Sequence, residues 1–307
     1  MKKLLLTGIA LVGAALVFAQ PRLVAHRGLY TTPGSDENTI SSLINAQQLG
    51  VYGVEFDVNR TSDGELIVVH GPKVGDRLDA QRDTYAEISR VVLPGGNRIP
   101  TLREFLEQGR KDPGTKLILE LKKHKTPEIE TRIVEEIVSL CKKLNMLDQM
   151  EFTSFSEHAC REFRRLAPQN KTLYISNSLW TPINADVAKK EGFQLSYSMY
   201  VFMNRPELID RMNEIGVEST LWIVDNPEVV DWAVKHNVGF ISSNFPDRIK
   251  AYLDALRTVE TARNGACNLI QIRHNLLTQI YHEKSNRNYR FRHDGVRSGV
   301  SRRRKRS

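Results

Sequence analysis

Short apolar, β-branched runs alternate along residues 20–258 with longer stretches whose apolar positions recur every three or four residues. The short runs predict strands at Leu23–His26, Gly53–Val58, Leu66–His70, Leu117–Leu121, Glu151–Ser154, Thr172–Ile175, Gln194–Ser198, Ser219–Val224 and Gly239–Ser242. The longer periodicity predicts helices at Thr39–Leu49, Thr101–Gln108, Glu128–Leu144, Ser156–Leu166, Pro206–Ile215, Asn226–His236 and Phe245–Leu256, with Ser156 and Asn226 placed as N-caps. Repeated strand–helix units predict an α/β fold with a parallel sheet, and their number favours a closed (β/α)₈ TIM barrel over an open sheet. Nine strands are one too many for that barrel. The connection Arg60–Gly64 contains Ser62-Asp63-Gly64, a hairpin turn signal, so Leu66–His70 is expected to return antiparallel to Gly53–Val58. That hairpin would stand at the barrel mouth after strand 2 and bring His70 back towards Glu55 and Asp57.

Both ends of the chain break the alternation. Lys2 and Lys3 precede an apolar stretch from Leu4 to Phe18, and Val17-Phe18-Ala19 offers small residues for a peptidase. Residues 1–19 therefore read as a secretory signal peptide cleaved before Gln20, and the protein is expected to be exported, periplasmic or secreted. The apolar run falls short of the roughly 20 residues that a spanning helix needs. At the other end, Asn268–His282 could form a short amphipathic helix, and Ser285–Ser307 is polar and basic, with a composition expected to stay disordered unless bound.

Charge sharpens this division. The formal net charge is +8, but residues 263–307 hold twelve Lys/Arg against two Asp/Glu, which leaves the rest of the chain near −2. The basic character belongs to the 259–307 tail, which suits contact with an anionic surface; it implies no specific nucleic-acid partner. Cys141, Cys160 and Cys267 show no metal-ligand spacing, and the first two read as core residues on helices. Neither phosphate-binding glycine motif of nucleotide-binding proteins is present.

Glu55 and Asp57 lie two apart in an apolar run, so they share one side of a strand, and Glu120 and Lys122 repeat the spacing. Carboxylates on an inward face are costly unless a metal or another cation neutralises them. Glu55, Asp57 and Glu120 together with His26 and His70 form the pattern of a metal-assisted acid/base site. A metal-free alternative pairs Glu55 and Asp57 with Arg27 and Lys122. Trp222, at a strand end, can contact a ligand or pack in the core. His124, His158 and His236 read as surface residues.

The order and spacing of His26-Arg27-Gly28, Glu37-Asn38-Thr39, Ala46 and Gly50, Glu55-Phe56-Asp57-Val58, Thr61-Ser62-Asp63-Gly64 and His70 resemble the signature of the glycerophosphodiester phosphodiesterase family. Ile99-Pro100-Thr101-Leu102, Glu120-Leu121-Lys122, Ser154-Phe155-Ser156, Trp222-Ile223-Val224 and Gly239-Phe240-Ile241 extend the likeness over roughly residues 22–256. The resemblance implies a barrel that cleaves glycerophosphodiesters to glycerol 3-phosphate and an alcohol. It implies one divalent metal ion, Ca²⁺ or Mg²⁺, on Glu55, Asp57 and Glu120, the oxygen ligands that hard cations take. It makes His26 and His70 the general acid and base, in an order the sequence leaves open, with Arg27, Lys122 and Trp222 on the substrate. Glu37-Asn38-Thr39 is expected to position the first helix and its loop. One position departs from the pattern: the family has Asp after the second His, and this chain has Gly71. His-Gly there resembles the sphingomyelinase D enzymes of spider venoms, whose cysteine-rich loop is absent. A phospholipase-D-like lyase that forms a cyclic phosphate from a lysophospholipid, or a catalytically weak barrel that binds a phosphorylated ligand, are the alternative readings.

Overall fold

Parallel pairing of eight strands closes a barrel in the computed structural model, which describes residues 20–263. The segment read as a signal peptide, the stretch Asn268–His282 and the basic terminus lie outside the described residues. The chain divides into two units, Met1–Lys250 and Ala251–Ser307, and the barrel lies in the first.

Its strands are β1 (Arg22–His26), β2 (Gly53–Arg60), β6 (Lys116–Leu121), β7 (Met150–Ser154), β8 (Thr172–Ser176), β9 (Gln194–Ser198), β10 (Ser219–Trp222) and β11 (Phe240–Ser243). Each pairs in parallel with the next, and β11 closes onto β1. Between them run α1 (Ile40–Leu49), α3 (Leu102–Gly109), α4 (Pro127–Lys143), α5 (Glu157–Leu166), α8 (Glu207–Ile215) and α9 (Pro227–Lys235); α10 (Pro246–Arg263) follows β11. Short helices α2 (Tyr85–Ile88), α6 (Ala185–Glu191) and α7 (Met199–Asn204) were not expected from periodicity. Each is under two full turns, too brief for an apolar stripe to repeat. Their punctuation is nevertheless written in the chain: the Asn184 side chain caps α6 and Gly192 ends it in the left-handed conformation.

The extra strand behaves as a hairpin, with a corrected register. Strand β3 spans Leu66–Val68 only, and it pairs antiparallel with Val58–Arg60 rather than with the whole of Gly53–Val58. The reason is competition for one edge. Strand β1 occupies that edge of β2 up to the His26–Glu55 pair, so the returning chain can join only beyond it. A small ribbon, β4 (Lys73–Val74) with β5 (Leu78–Asp79), follows. Ile67, Val74, Ala80, Ile88 and Ile99 give this insert its own apolar core.

Alternation along each strand separates two environments. Val54, Phe56, Val58, Leu117, Leu119 and Phe152 face the helices and are fully buried. Phe56 meets Phe105 of α3 at 4.4 Å, and Phe152 stacks on Phe163 of α5 at 4.3 Å. Each such ring contributes on the order of 1.5–3 kcal/mol by leaving water. Cys141 and Cys160 are free thiols buried on α4 and α5, as expected. The opposite parity faces the barrel axis. At the N-terminal end Arg22 lies over the Phe240 ring at 4.1 Å and the Tyr52 ring at 4.6 Å, and Lys171 lies over Phe240 at 4.3 Å. Buried Glu151 accepts a hydrogen bond from the Tyr52 hydroxyl and pairs with Lys171 at 3.5 Å, and Lys171 also meets Glu218 at 2.5 Å. Stacked rings and paired charges thus floor the barrel.

Candidate active site

At the C-terminal end of the strands, register sets the chemistry. In the β1–β2 pairing His26 stands beside Glu55, and in the β2–β6 pairing Asp57 stands beside Glu120. Glu55, Asp57 and Glu120 are all buried, and each offers a carboxylate oxygen within 4.8 Å of the others.

The loop after β1 wraps this cluster. Arg27, Gly28 and Asn38 all have positive φ, at 58°, 82° and 60°. Gly28 is required twice over, by its φ and because a Cβ there would lie 2.7 Å from the Ser42 backbone carbon. The turn aims the Arg27 N–H at Glu55 Oε2 (3.0 Å), while the guanidinium reaches Glu37 at 2.8 Å and Asp57 at 3.3 Å. Asn38 brackets Asp57: its amide nitrogen donates to Oδ2 at 2.7 Å and its carbonyl oxygen accepts from the Asp57 backbone N–H at 3.0 Å. Thr39 caps α1. The Glu37-Asn38-Thr39 triplet therefore holds the loop and the acidic cluster in place. Lys122 closes the other side, with its ammonium 2.8 Å from Asp57 and 2.6 Å from Glu120.

These neighbours push the three carboxylates apart in acidity. Burial, then the charges of Asp57 and Glu120, raises Glu55 well above the carboxylate range. Burial and Asp57 push Glu120 up to about 7. Asp57 is also penalised by burial, but Lys122 and Arg27 outweigh it and hold Asp57 below its ordinary value. Glu55 Oε1 is buried and has no hydrogen-bond partner. An unsatisfied carboxylate oxygen, two carboxyls reluctant to ionise and an all-oxygen donor set together fit a hard divalent cation.

His26 is held by a chain that starts at Asp225. That carboxylate accepts from the Asn244 side-chain NH₂ at 2.9 Å, from the Asn244 backbone at 2.8 Å and from Ser243 at 2.9 Å. A carboxylate only accepts, so the Asn244 carbonyl oxygen must be the end that faces His26 Nδ1 at 2.7 Å. That nitrogen then carries the proton, and Nε2, 3.8 Å from Glu55, presents a lone pair. Burial, then Arg27, keeps His26 below the usual imidazole range. His70 follows β3, half-buried, and burial, then Lys122, lowers it as well.

One cavity of about 150 Å³ is lined by His26, His70, Arg27, Glu55, Glu120, Lys122 and Trp222, and it runs down to Phe240. Of the eight expected site residues only Asp57 is missing from its wall, being buried behind Lys122 and Arg27. Trp222 combines both readings: its Nε1 donates to the Ser196 carbonyl at 3.0 Å while its ring lines the cavity. The Trp222–Ile223 peptide is cis. Asn38 is part of a motif, but Asp225 and Asn244 belong to none. Their partnership with His26 spans 218 residues, and an isolated Asp and Asn at strand ends carry no periodic signal.

One histidine reading is corrected. His124 is buried rather than on the surface: Nδ1 donates to the Lys122 carbonyl at 2.7 Å, Nε2 accepts from the Arg60 N–H at 3.3 Å, and its backbone N–H donates to buried Glu130 at 3.0 Å. It anchors the backbone of Lys122. His158 and His236 are partly buried, on Thr131 and on Trp232.

Comparison with known proteins identifies relatives of this chain and of its fold. A glycerophosphodiester phosphodiesterase of Caldanaerobacter subterraneus subsp. tengcongensis is 28% identical over 242 residues, which cover 74% of this chain and 95% of that protein. The crystal structure of a glycerophosphodiester phosphodiesterase from Parabacteroides distasonis superposes with a TM-score of 0.74 at 31% identity, over 78% of this chain and 98% of its own. An Oleispira antarctica phosphodiesterase, solved with the product sn-glycerol-3-phosphate, shares the fold at 20% identity and a TM-score of 0.66, over 76% and 97% of the two chains. The model of the glycerophosphoryl diester phosphodiesterase family matches residues 26–248, from His26 at the end of β1 to the first three residues of α10, and the chain belongs to that family.

Proposed function

We propose that the protein hydrolyses glycerophosphodiesters to glycerol 3-phosphate and an alcohol, with His26 and His70 as the acid/base pair and a divalent ion, Ca²⁺ or Mg²⁺, on Glu55, Asp57 and Glu120. The observation that carries this reading is a cavity lined by two histidines of lowered pKa, Glu55, Glu120 and two cations, with Asp57 buried behind those cations and clustered with the two glutamates. Held by Glu55, Asp57 and Glu120, such an ion would supply positive charge to offset that of the phosphodiester. Arg27 and Lys122 add to that charge, and their ties to Asp57, Glu37 and Glu120 keep both heads aimed into the site.

The tautomer of His26 supports an order of events. Its free Nε2 suits it to take the proton of a glycerol hydroxyl as that oxygen bonds to phosphorus, while His70 gives a proton to the departing alkoxide as the old P–O bond breaks. Water then opens the cyclic phosphate with the two roles exchanged. The net change places the water's OH on phosphorus and its remaining hydrogen on the alcohol. The test is glycerol 3-phosphate release from glycerophosphocholine, with and without chelator. Metal-restored turnover supports the reading, accumulation of a cyclic phosphate would assign the lyase reaction instead, and undiminished turnover in chelator would remove the metal.

A further inference from the structure

Four of the six large apolar side chains exposed by more than a third, among the described residues, sit in consecutive loops at one side of the barrel mouth. Phe155 (37%) follows β7, Trp180 (91%) follows β8, and Tyr200 (59%) and Met203 (42%) stand on α7 after β9. On α7 the spacing i, i+3 puts Tyr200 and Met203 on one outward face, while Val201 and Phe202 between them are buried. Residues 177–184 and 199–204 carry no charged side chain. The nearest cation, Arg205, is already paired with Glu207 at 3.0 Å, and it ties α7 to the Leu179 carbonyl at 3.4 Å.

Phe155 links this side of the mouth to the catalytic cavity. Phe155 and Trp222 meet edge to face, with centroids 6.0 Å apart, and both line the cavity beside Ile223 and Ile175. The mouth is thus divided by strand. Charges occupy the β1, β2 and β6 side, and exposed apolar rings occupy the β7, β8 and β9 side. A ligand that satisfies both halves carries a phosphodiester at one end and an apolar chain at the other.

We propose that the apolar side is a lipid-facing rim and that the preferred substrate is a glycerophosphodiester with one acyl chain, a lysophospholipid, taken from a micelle or bilayer surface. The proposal rests on the phosphodiesterase reading. A protein seated on Trp180 and Tyr200 would cap the opening through which substrate must pass, whereas a lipid surface delivers substrate there. Trp and Tyr are also the rings that settle at a membrane–water boundary. The acyl chain leaves the cavity over Phe155 and Trp222 towards Trp180, Tyr200 and Met203. A 1-acyl lysophospholipid keeps the free 2-hydroxyl that the reaction uses. Hydrolysis of lysophosphatidylcholine breaks the P–O bond to choline, with water's OH ending on phosphorus and its hydrogen on choline.

Choline release from the full chain measures both substrates with one readout, glycerophosphocholine against lysophosphatidylcholine below and above its micellar concentration. Sedimentation with phosphatidylcholine vesicles, which carry no net charge, measures surface binding without help from basic segments. The expected result is a kcat/KM at least tenfold higher on micellar lysophosphatidylcholine. The triple change Trp180→Ser, Tyr200→Ser, Met203→Ser should remove that advantage and the vesicle binding, with the glycerophosphocholine rate and the thermal midpoint unchanged. Equal rates on the two substrates, or a triple variant as active as the parent on micelles, overturns the rim. Vesicle binding that is lost in the variant while neither substrate is cleaved supports the rim and sinks the phosphodiesterase reading alone.

Discussion

Asn244 shows how much a single side chain decides here. It fixes the tautomer of His26 without touching phosphate, because Asp225 leaves its carbonyl oxygen nowhere else to point. In the proposed role His26 must be unprotonated to accept a proton, so activity should fall as pH drops through its pKa, which burial holds below the ordinary 6.5. The hydrogen bond from Asn244 works against the lowering. Asn244→Ala should therefore cut kcat by about 10²-fold and move the acidic limb of the pH profile further down; an unmoved limb would separate Asn244 from the proton transfer. Glu120 titrates in the opposite sense. Its folded pKa of about 7 exceeds the ordinary 4.5, so its contribution to stability is full below pH 4.5 and is lost as pH rises through 7. Without metal, stability to denaturant should decline across that window. Metal must displace the proton, so the decline should shrink when metal is present, and metal affinity should rise with pH. Denaturant titrations at pH 4.5–8, with and without Ca²⁺ or Mg²⁺, measure both effects. The clustering of the acidic triad, both histidines, Arg27 and Lys122 was legible because they lie in short spaced motifs on predicted strands or immediately after them. Asp225 and Asn244 were not, because a hydrogen bond between distant strand ends leaves no trace in local spacing.

At the scale of elements, the insert after β2 explains the one departure from the family pattern. Gly71 has φ of 57° and precedes a cis-proline peptide, and a Cβ there would lie 3.0 Å from Asn59 Nδ2 and 3.1 Å from Ala80. The insert packs around glycine at this position. Restoring the family residue, Gly71→Asp, should cost about 1–3 kcal/mol of stability, read as a lower thermal midpoint, and should not raise kcat on glycerophosphocholine. A faster and equally stable variant would show that the position is short of a carboxylate. The turn signal Ser62-Asp63-Gly64 made the hairpin legible. Its register was not, because β1 occupies the edge of β2 only up to Glu55, a tertiary fact. His124 was misread for a similar reason. Polar neighbours in sequence suggested the surface, but Glu130 one turn into α4 draws its backbone inward.

The whole molecule separates stability from chemistry along the barrel axis. Lys171 balances buried Glu151 at the floor, where Glu151 lines the inner end of the cavity and Lys171 itself stands outside the lining. Lys171→Met leaves Glu151 with the Tyr52 hydroxyl alone, and breaking such a pair should cost about 3 kcal/mol. The thermal midpoint should fall while kcat on glycerophosphocholine stays within twofold; a matching loss of kcat would show that the floor reaches the site.

That floor also dictates traffic. Phe240 lines the inner end of the cavity and Arg22 and Lys171 lie over its ring, so both products should leave by the mouth through which substrate came in. Departure is then sequential. The fragment lodged deeper waits for the outer one, and it is the species that rebinds to the empty protein. Product-inhibition kinetics should accordingly show one product competing with substrate and the other not, which turns a stack of aromatic rings and cations at the bottom of the barrel into a rule for the order of release at the top.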